Sequence, residues 1–249
     1  MSETALILSS LAEGILQITF NRPAQRNALN REMYQQLAAL IREGSANPEV
    51  RVMLLQGQNG YFTAGNDLAD FVPVPSELLA FEVFRAVAVC DKPLVAGVEG
   101  CAIGVGATLL GHCDVVYAGA STRFSLPFAR LGVSAEGASS LWLPQVAGYK
   151  RAAEWLLLVE PFTAQQALDA GVITGMVDDG QAVAQALKVA HKLAAQSPEV
   201  VQTNKRLLKR SQRAAILDTI NHEEQEFLRL LALEPAQQAI SSFLAPRKA

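Results

Sequence analysis

The sequence predicts a mixed α/β fold with a helical C-terminal segment. Three observations point there: a strand, loop and helix recur as a unit along the first half, half of the 249 residues are hydrophobic, and helical periodicity takes over after Lys150. With only 18% of residues charged, a chain of this length can bury a sizeable core.

Residues 15–20 are rich in β-branched and aromatic side chains and end at Asn21-Arg22-Pro23, which reads as a strand entering a loop. A helix follows, with Asn30 as N-cap and Met33, Leu37, Leu40 and Ile41 on one face, stopping near Asn47-Pro48. Residues 52–56 form a buried strand. The order then repeats as a turn at Gly65, a helix over 77–89 and a strand over 94–99. A third copy has its turn at 100–106, an apolar helix to about Gly111 that belongs in the core, and a strand at 115–117. Helices are expected at 152–159, at 164–170 between Thr163 as N-cap and Gly171, and at 182–195, with two more after Ser197-Pro198. Strand character returns only at 172–177. The expected organisation is a core over 1–195 and a helical segment over 196–249, with no low-complexity linker between them.

Composition narrows the function. A net charge of −3 argues against a general nucleic-acid binder, so an anionic ligand would need local cations. Cys90, Cys101 and Cys113 show no CxxC spacing and no nearby pair of histidines, which predicts buried thiols rather than a zinc site or a disulfide framework. Apolar stretches stop well short of the roughly 20 residues that cross a bilayer. The residues after Met1 resemble neither a secretory signal nor a transit peptide, and Pro246-Arg247-Lys248-Ala249 is not a peroxisomal SKL. A cytoplasmic protein without a membrane partner is expected.

Two glycine turns carry the functional signal. Phe62-Thr63-Ala64-Gly65-Asn66-Asp67-Leu68 and Gly100-Cys101-Ala102-Ile103-Gly104-Val105-Gly106 each follow a predicted strand and open a predicted helix. Free N–H groups at such a point favour an anion, although a tight turn needing glycine's φ range explains either one alone. Gly104-Val105-Gly106 does not extend to a dinucleotide fingerprint, because Thr108 and Leu109 follow where a further glycine is needed.

Together with their surroundings the turns become specific. Asn21-Arg22-Pro23-Ala24-Gln25-Arg26-Asn27-Ala28-Leu29-Asn30, the first turn, Lys92-Pro93-Leu94-Val95-Ala96 and the second turn resemble, in order and spacing, the crotonase (enoyl-CoA hydratase/isomerase) superfamily. The resemblance implies a ClpP-like spiral of ββα units acting on acyl-coenzyme A thioesters. It further implies an oxyanion hole made by the N–H groups of Asn66 and Val105, with the Ala64 carbonyl meeting the adenine of coenzyme A. Arg22, Arg26, Ala28, Gly65, Asp67, Leu68 and Gly104 would complete the binding region. No cofactor beyond the coenzyme A of the substrate is implied, no metal, and a homotrimer or homohexamer is expected.

A hydratase of this superfamily carries glutamates at the positions that here hold Thr108 and Phe128, neither of which transfers a proton. Another acid stands in Leu131-Gly132-Val133-Ser134-Ala135-Glu136-Gly137-Ala138. Ser134 could cap a helix beginning near Ala135, with Glu136 merely complementing the dipole in its first turn. The run Ser125-Leu126-Pro127-Phe128-Ala129-Arg130-Leu131-Gly132, the Glu136 segment and Leu143-Pro144 instead resemble the peroxisomal type of Δ3,Δ2-enoyl-CoA isomerase, in which a glutamate here is the single base. The resemblance implies that Glu136 is the catalyst, with Leu126, Phe128 and Trp142 as candidates for the acyl pocket. The rival readings are a hydratase using Glu136 and a bound water, acyl-CoA thioester hydrolysis, and a non-catalytic acyl-CoA-binding protein.

Arg22, Arg26, Lys205, Arg247 and Lys248 are candidates to meet coenzyme A phosphates. Residues 205–210 have the spacing of a basic helical face. His112, His191 and His222 receive no role, Asp67 is expected to brace the first turn, and Asp114 to sit at the mouth of a strand.

Overall fold

The computed structural model describes residues 5–245. Its strands are β1 (Ile7–Ala12), β2 (Ile15–Phe20), β3 (Val52–Gly57), β4 (Leu94–Val98), β5 (Cys101–Ile103), β6 (Val115–Gly119), β7 (Arg123–Ser125), β8 (Phe162–Thr163) and β9 (Gly175–Val177). The helices are α1 (Arg31–Ala46), α2 (Leu79–Val89), α3 (Val105–Leu110), α4 (Ser139–Ala147), α5 (Tyr149–Ala153), α6 (Ala164–Asp169), α7 (Ala182–Ala194), α8 (Pro198–Lys209), α9 (Arg213–Leu231) and α10 (Glu234–Leu244).

The main sheet has six strands in the order β1-β2-β3-β4-β6-β9. All its pairings are parallel except the β1–β2 hairpin. A parallel strand covered on both faces is apolar at consecutive positions, which is why Val52, Met53, Leu54 and Leu55 are all buried. Val52 and Leu54 face α7, while Met53 and Leu55 join the main core with α1 and α2. The stripe Ala182, Ala186, Ala190 and Ala194 lets α7 approach closely, and a Cβ on Gly97 would stand 2.7 Å from the Val183 Cα.

A second sheet, β5-β7-β8, stands beside the site. Here the expectation of a plain turn over 100–106 is corrected, because Cys101–Ile103 is a short strand paired in parallel with β7. The first glycine turn opens only a four-residue 3-10 turn, Leu68–Phe71, and α2 begins later. Residues 154–158 close a π-type turn instead of continuing α5. Three helices, not two, follow Ser197, since Pro235 enters at the first turn of α10. α9 and α10 fold back so that Phe227, Phe243 and Leu244 reach the cleft described next.

Candidate active site

The two glycine turns are joined through their backbones. Thr63 N–H donates to the Cys101 carbonyl (3.1 Å) and Ile103 N–H donates to the Thr63 carbonyl (3.1 Å). Gly65 has φ +96° and Gly104 φ +52°, a range that glycine alone enters cheaply. A Cβ on Gly65 would also stand 2.8 Å from the Ile103 carbonyl oxygen. Leu29 bridges the first turn, donating to the Gly65 carbonyl (2.8 Å) and accepting from Asp67 N–H (2.8 Å). This ladder skips the N–H of Asn66. Val105 opens α3, and the first N–H groups of a helix have no acceptor within it. Among the described residues, neither the Asn66 nor the Val105 N–H meets a protein acceptor.

Beside them runs a cleft of about 430 Å³. Ala28, Ala64, Gly65, Asn66, Asp67, Leu68, Gly104 and Phe128, all expected from sequence, line it. Sequence reasoning missed Gln25, Arg130, Phe227, Phe243 and Leu244. Arg130 is an exposed cation at this cleft, yet its position in the chain carries no signal beyond its charge. Arg22 is less available to a phosphate than expected, since it donates to Asp67 at 2.6 Å and to the Ala28 carbonyl. Asp67 also accepts from Ala69 N–H, the bracing role expected of it. Arg26 turns its guanidinium over the Tyr61 ring, 5.5 Å from the centroid, and its carbonyl accepts from Ala64 N–H.

Several expectations are corrected. Leu126 is a core residue and does not line the cleft. Trp142 packs against Gly111, where a Cβ would stand 2.2 Å from its ring, and its indole N–H donates to the Gly137 carbonyl. Lys205 is buried and donates to Asp114 and to the Lys92 carbonyl, both at 2.7 Å, so it cannot meet a phosphate. Residues 205–210 are not an open basic face, because Lys209 also turns inward to the His112 carbonyl. Asp114 directly precedes β6, at whose mouth it was expected, and accepts from Leu94 N–H of the neighbouring β4. Arg247 and Lys248 lie outside the described residues. Thr108 is buried with its hydroxyl directed at the Gly104 and Val105 carbonyls of its own helix. Among the described residues no three His, Cys, Asp or Glu side chains gather as a metal site.

Glu136 does not cap α4. The helix begins at Ser139, and the preceding residues Gly137 (φ +69°) and Ala138 (φ +55°) turn the chain so that Glu136 points away from it. Its carboxyl is 1% exposed and lines a cavity of about 20 Å³, with no hydrogen-bond partner on Oε1. Asn66, Phe71 and Phe227 border both this cavity and the cleft. Burial first, then the neighbouring Glu223 charge, push the Glu136 carboxyl up to about 8, while the Asn66 amide pulls the other way. The Tyr34 hydroxyl donates to Asn66 Oδ1, which fixes the amide's orientation and leaves its NH₂ free to turn toward Glu136. His112, pushed down to about 4 by burial, is neutral, so its Nε2–H donates to the Gly137 carbonyl (2.9 Å) beside Trp142.

The sequence matches the profile of the family described as enoyl-CoA hydratase/isomerase over residues 10–249. The chain belongs to the enoyl-CoA hydratase/isomerase family. It is 33% identical to 2,3-dehydroadipyl-CoA hydratase of Escherichia coli (strain K12), covering 97% of this chain and 96% of that one. It is 31% identical to human enoyl-CoA delta isomerase 2, over 89% of this chain and 58% of that longer protein. The crystal structure of an enoyl-CoA hydratase/isomerase from Pseudoalteromonas atlantica T6c superimposes with a TM-score of 0.92 at 36% identity, covering 98% of this chain and all of that one. The crotonase fold expected from the glycine turns is therefore the fold of the chain, and it is a hydratase/isomerase-family acyl-CoA enzyme.

Proposed function

We propose that this family member is a Δ3,Δ2-enoyl-CoA isomerase with Glu136 as its single base. The observation that carries the reading is one buried carboxylate with an unpartnered oxygen, facing a cavity that shares its walls with the cleft. Thr108 and Phe128 occupy the positions of the two acids of a hydratase, and Thr108 is turned back on its helix. The ionised Glu136 takes a proton from C2 of a 3-enoyl thioester, and the resulting dienolate places its charge on the thioester oxygen. The N–H groups of Asn66 and Val105 stabilise that charge, a contribution worth about 10²–10³ in rate for one such donor. Protonated Glu136 then returns the proton at C4, so the double bond moves from C3 to C2 with no atom gained or lost. A carboxyl near 8 suits both halves, basic enough to accept at C2 and acidic enough to donate at C4.

Arg130 is the cation we assign to the coenzyme A phosphates, with Gln25 and Ala64 nearby and no further cofactor. Residues 196–249 are assigned as the cover of the cleft and the site of association into a homotrimer or homohexamer, in the cytoplasm. Among the described residues no helix is long and apolar enough to cross a membrane.

The test incubates the enzyme with a 3-enoyl-CoA and with a 2-enoyl-CoA. Double-bond migration is expected, and Glu136→Gln should lower its kcat by about 10³ or more. Rapid hydration of the 2-enoyl ester without migration would reject the isomerase, in favour of the hydratase reading that the 2,3-dehydroadipyl-CoA hydratase relative keeps open.

A further inference from the structure

Glu223 lies on α9, far from either glycine turn in sequence, and is 5% exposed. Its carboxylate accepts from Ala138 N–H on Oε2 (2.6 Å) and from both the N–H (3.0 Å) and the hydroxyl (2.6 Å) of Ser140 on Oε1. Ser134, on the other side of Glu136, directs its hydroxyl toward the Glu223 carbonyl at 3.5 Å. The segment that presents Glu136 is thus attached to α9 at both ends through one residue. We propose that Glu223 is the positioning residue of the catalytic site, filling the N-terminus of α4 so that Glu136 is held in the cavity beside the cleft.

At the start of α4 the backbone N–H groups have no partner within the helix. They require an acceptor, and acids are the preferred partners at a helix N-terminus. Glu136 is the nearest acid in sequence, and the simplest local structure would use it there. The chain instead adopts two successive left-handed residues, Gly137 and Ala138, the second with a Cβ. A non-glycine residue in that region costs about 1 kcal/mol or more and persists only where its surroundings hold it. Glu223 is what holds it, because it accepts from Ala138 itself. The acceptor that a local cap would have supplied comes from a distant helix, and Glu136 is left without a structural duty. One turn further along α9, Phe227 forms part of the wall shared by the Glu136 cavity and the cleft, so the same helix sets both the base and the partition in front of it.

Glu223 also acts through charge, since its proximity adds to burial in keeping Glu136 protonated. The other groups facing the cavity are Tyr34 and Arg31 from α1, Asp70 from the 3-10 turn and Glu77 from the loop beyond it. His112 and Trp142 hold the Gly137 carbonyl from the opposite side, and His222 stands near Glu223 on its own helix.

This inference rests on the reading of Glu136 as base, and its test separates the two. Turnover of a 3-enoyl-CoA is measured against pH for wild type, Glu223→Gln and Glu223→Asp, alongside carbon-13 titration of the Glu136 side chain. Glu223→Gln should lower kcat by about 10²-fold, as misplaced catalytic groups do, with KM changed less than about threefold. Its acidic limb and the Glu136 titration should both move to lower pH, and Glu223→Asp should restore part of kcat with the limb near its original place. A Glu223→Gln enzyme that is less heat-stable but keeps both the limb and the Glu136 titration in place would make Glu223 a mere helix cap and overturn the proposal. Should Glu223→Gln fail to fold, Glu223→Asp still decides: a kcat below that of wild type with the limb near its original place is expected, and a kcat equal to that of wild type overturns the proposal. Failure of Glu136→Gln to reduce turnover would remove the base assignment, while the Glu136 titration in Glu223→Gln would still report whether Glu223 governs that site.

Discussion

Burial moves Glu136 and His112, whose ring holds the Gly137 carbonyl, in opposite senses, and each leaves its mark on stability. Glu136 is raised from 4.5 to about 8, so across that window the folded chain keeps a proton the unfolded chain has lost. The stabilisation it contributes is complete below 4.5 and disappears as pH rises through 8. His112 is lowered from 6.5 to about 4, so its contribution is complete above 6.5 and disappears as pH falls through 4. Between pH 6.5 and 8 the raised Glu136 carboxyl should lower the stability of wild type by up to about 1.4 kcal/mol per pH unit. Glu136→Gln should flatten that slope and melt at a higher temperature than wild type at pH 8.5. Parallel melting curves for the two proteins over this range would show that Glu136 is not held protonated. Glu136 itself was legible through the motif around it, but its partners were not. Tyr34 sits on the apolar stripe of α1 between Met33 and Leu37, and its hydroxyl meets a residue 32 positions away. Glu223 lies on an amphipathic helix, where a glutamate is ordinarily solvated, and its partners are 83 and 85 positions away.

Elements with a local cause read most clearly from sequence. Asn30 caps α1 by accepting from Met33 N–H, and Thr163 with Gln166 forms a complete capping box on α6. β5 was illegible because three residues carry too little periodicity, and its strand character comes from parallel pairing with β7, which lies beyond α3 and β6 in the chain. Glycine turns were visible as turns, but whether a helix follows at once depends on later residues, which differ between Leu68–Phe71 and α3. α3 offers a clean test of the oxyanion hole, since Val105 is its first residue and proline is well tolerated there. Val105→Pro removes the N–H while keeping the helix, and Gly104 before it, lacking a Cβ, relieves the crowding proline imposes on its predecessor. The expected result is a fall in kcat of about 10²–10³ with unchanged far-ultraviolet circular dichroism. Full turnover by a folded Val105→Pro enzyme would remove Val105 from the hole.

At the scale of the molecule, the chain closes on itself at the cleft and leaves apolar surface elsewhere. α9 and α10 bring Phe227, Phe243 and Leu244 to the cleft, and Ala236 packs on Gly132, where a Cβ would stand 2.9 Å from its Cα. Leu157 and Leu158 are each 68% exposed at the π-type turn, and Leu208 on α8 is 82% exposed. Scattered single leucines need no explanation, but adjacent leucines placed outward by a strained turn, ending at Val159 with φ +61°, are a different matter. Such a turn persists where something compensates its cost, and a second copy of the chain would do so by burying both side chains. Each partner in a stable association covers about 800 Å² of the other, more than two leucines alone provide. Neighbouring surface on α5, where Tyr149 is also exposed, would have to join them. Light scattering on the purified protein should therefore give a mass that is a multiple of 26.7 kDa. Leu157→Asp with Leu158→Asp should shift that mass toward the single chain, since two buried charges without partners cost several kcal/mol in the assembly and nothing in the separated chain. An unaltered protein that scatters as one chain at micromolar concentration would mean that these leucines face water.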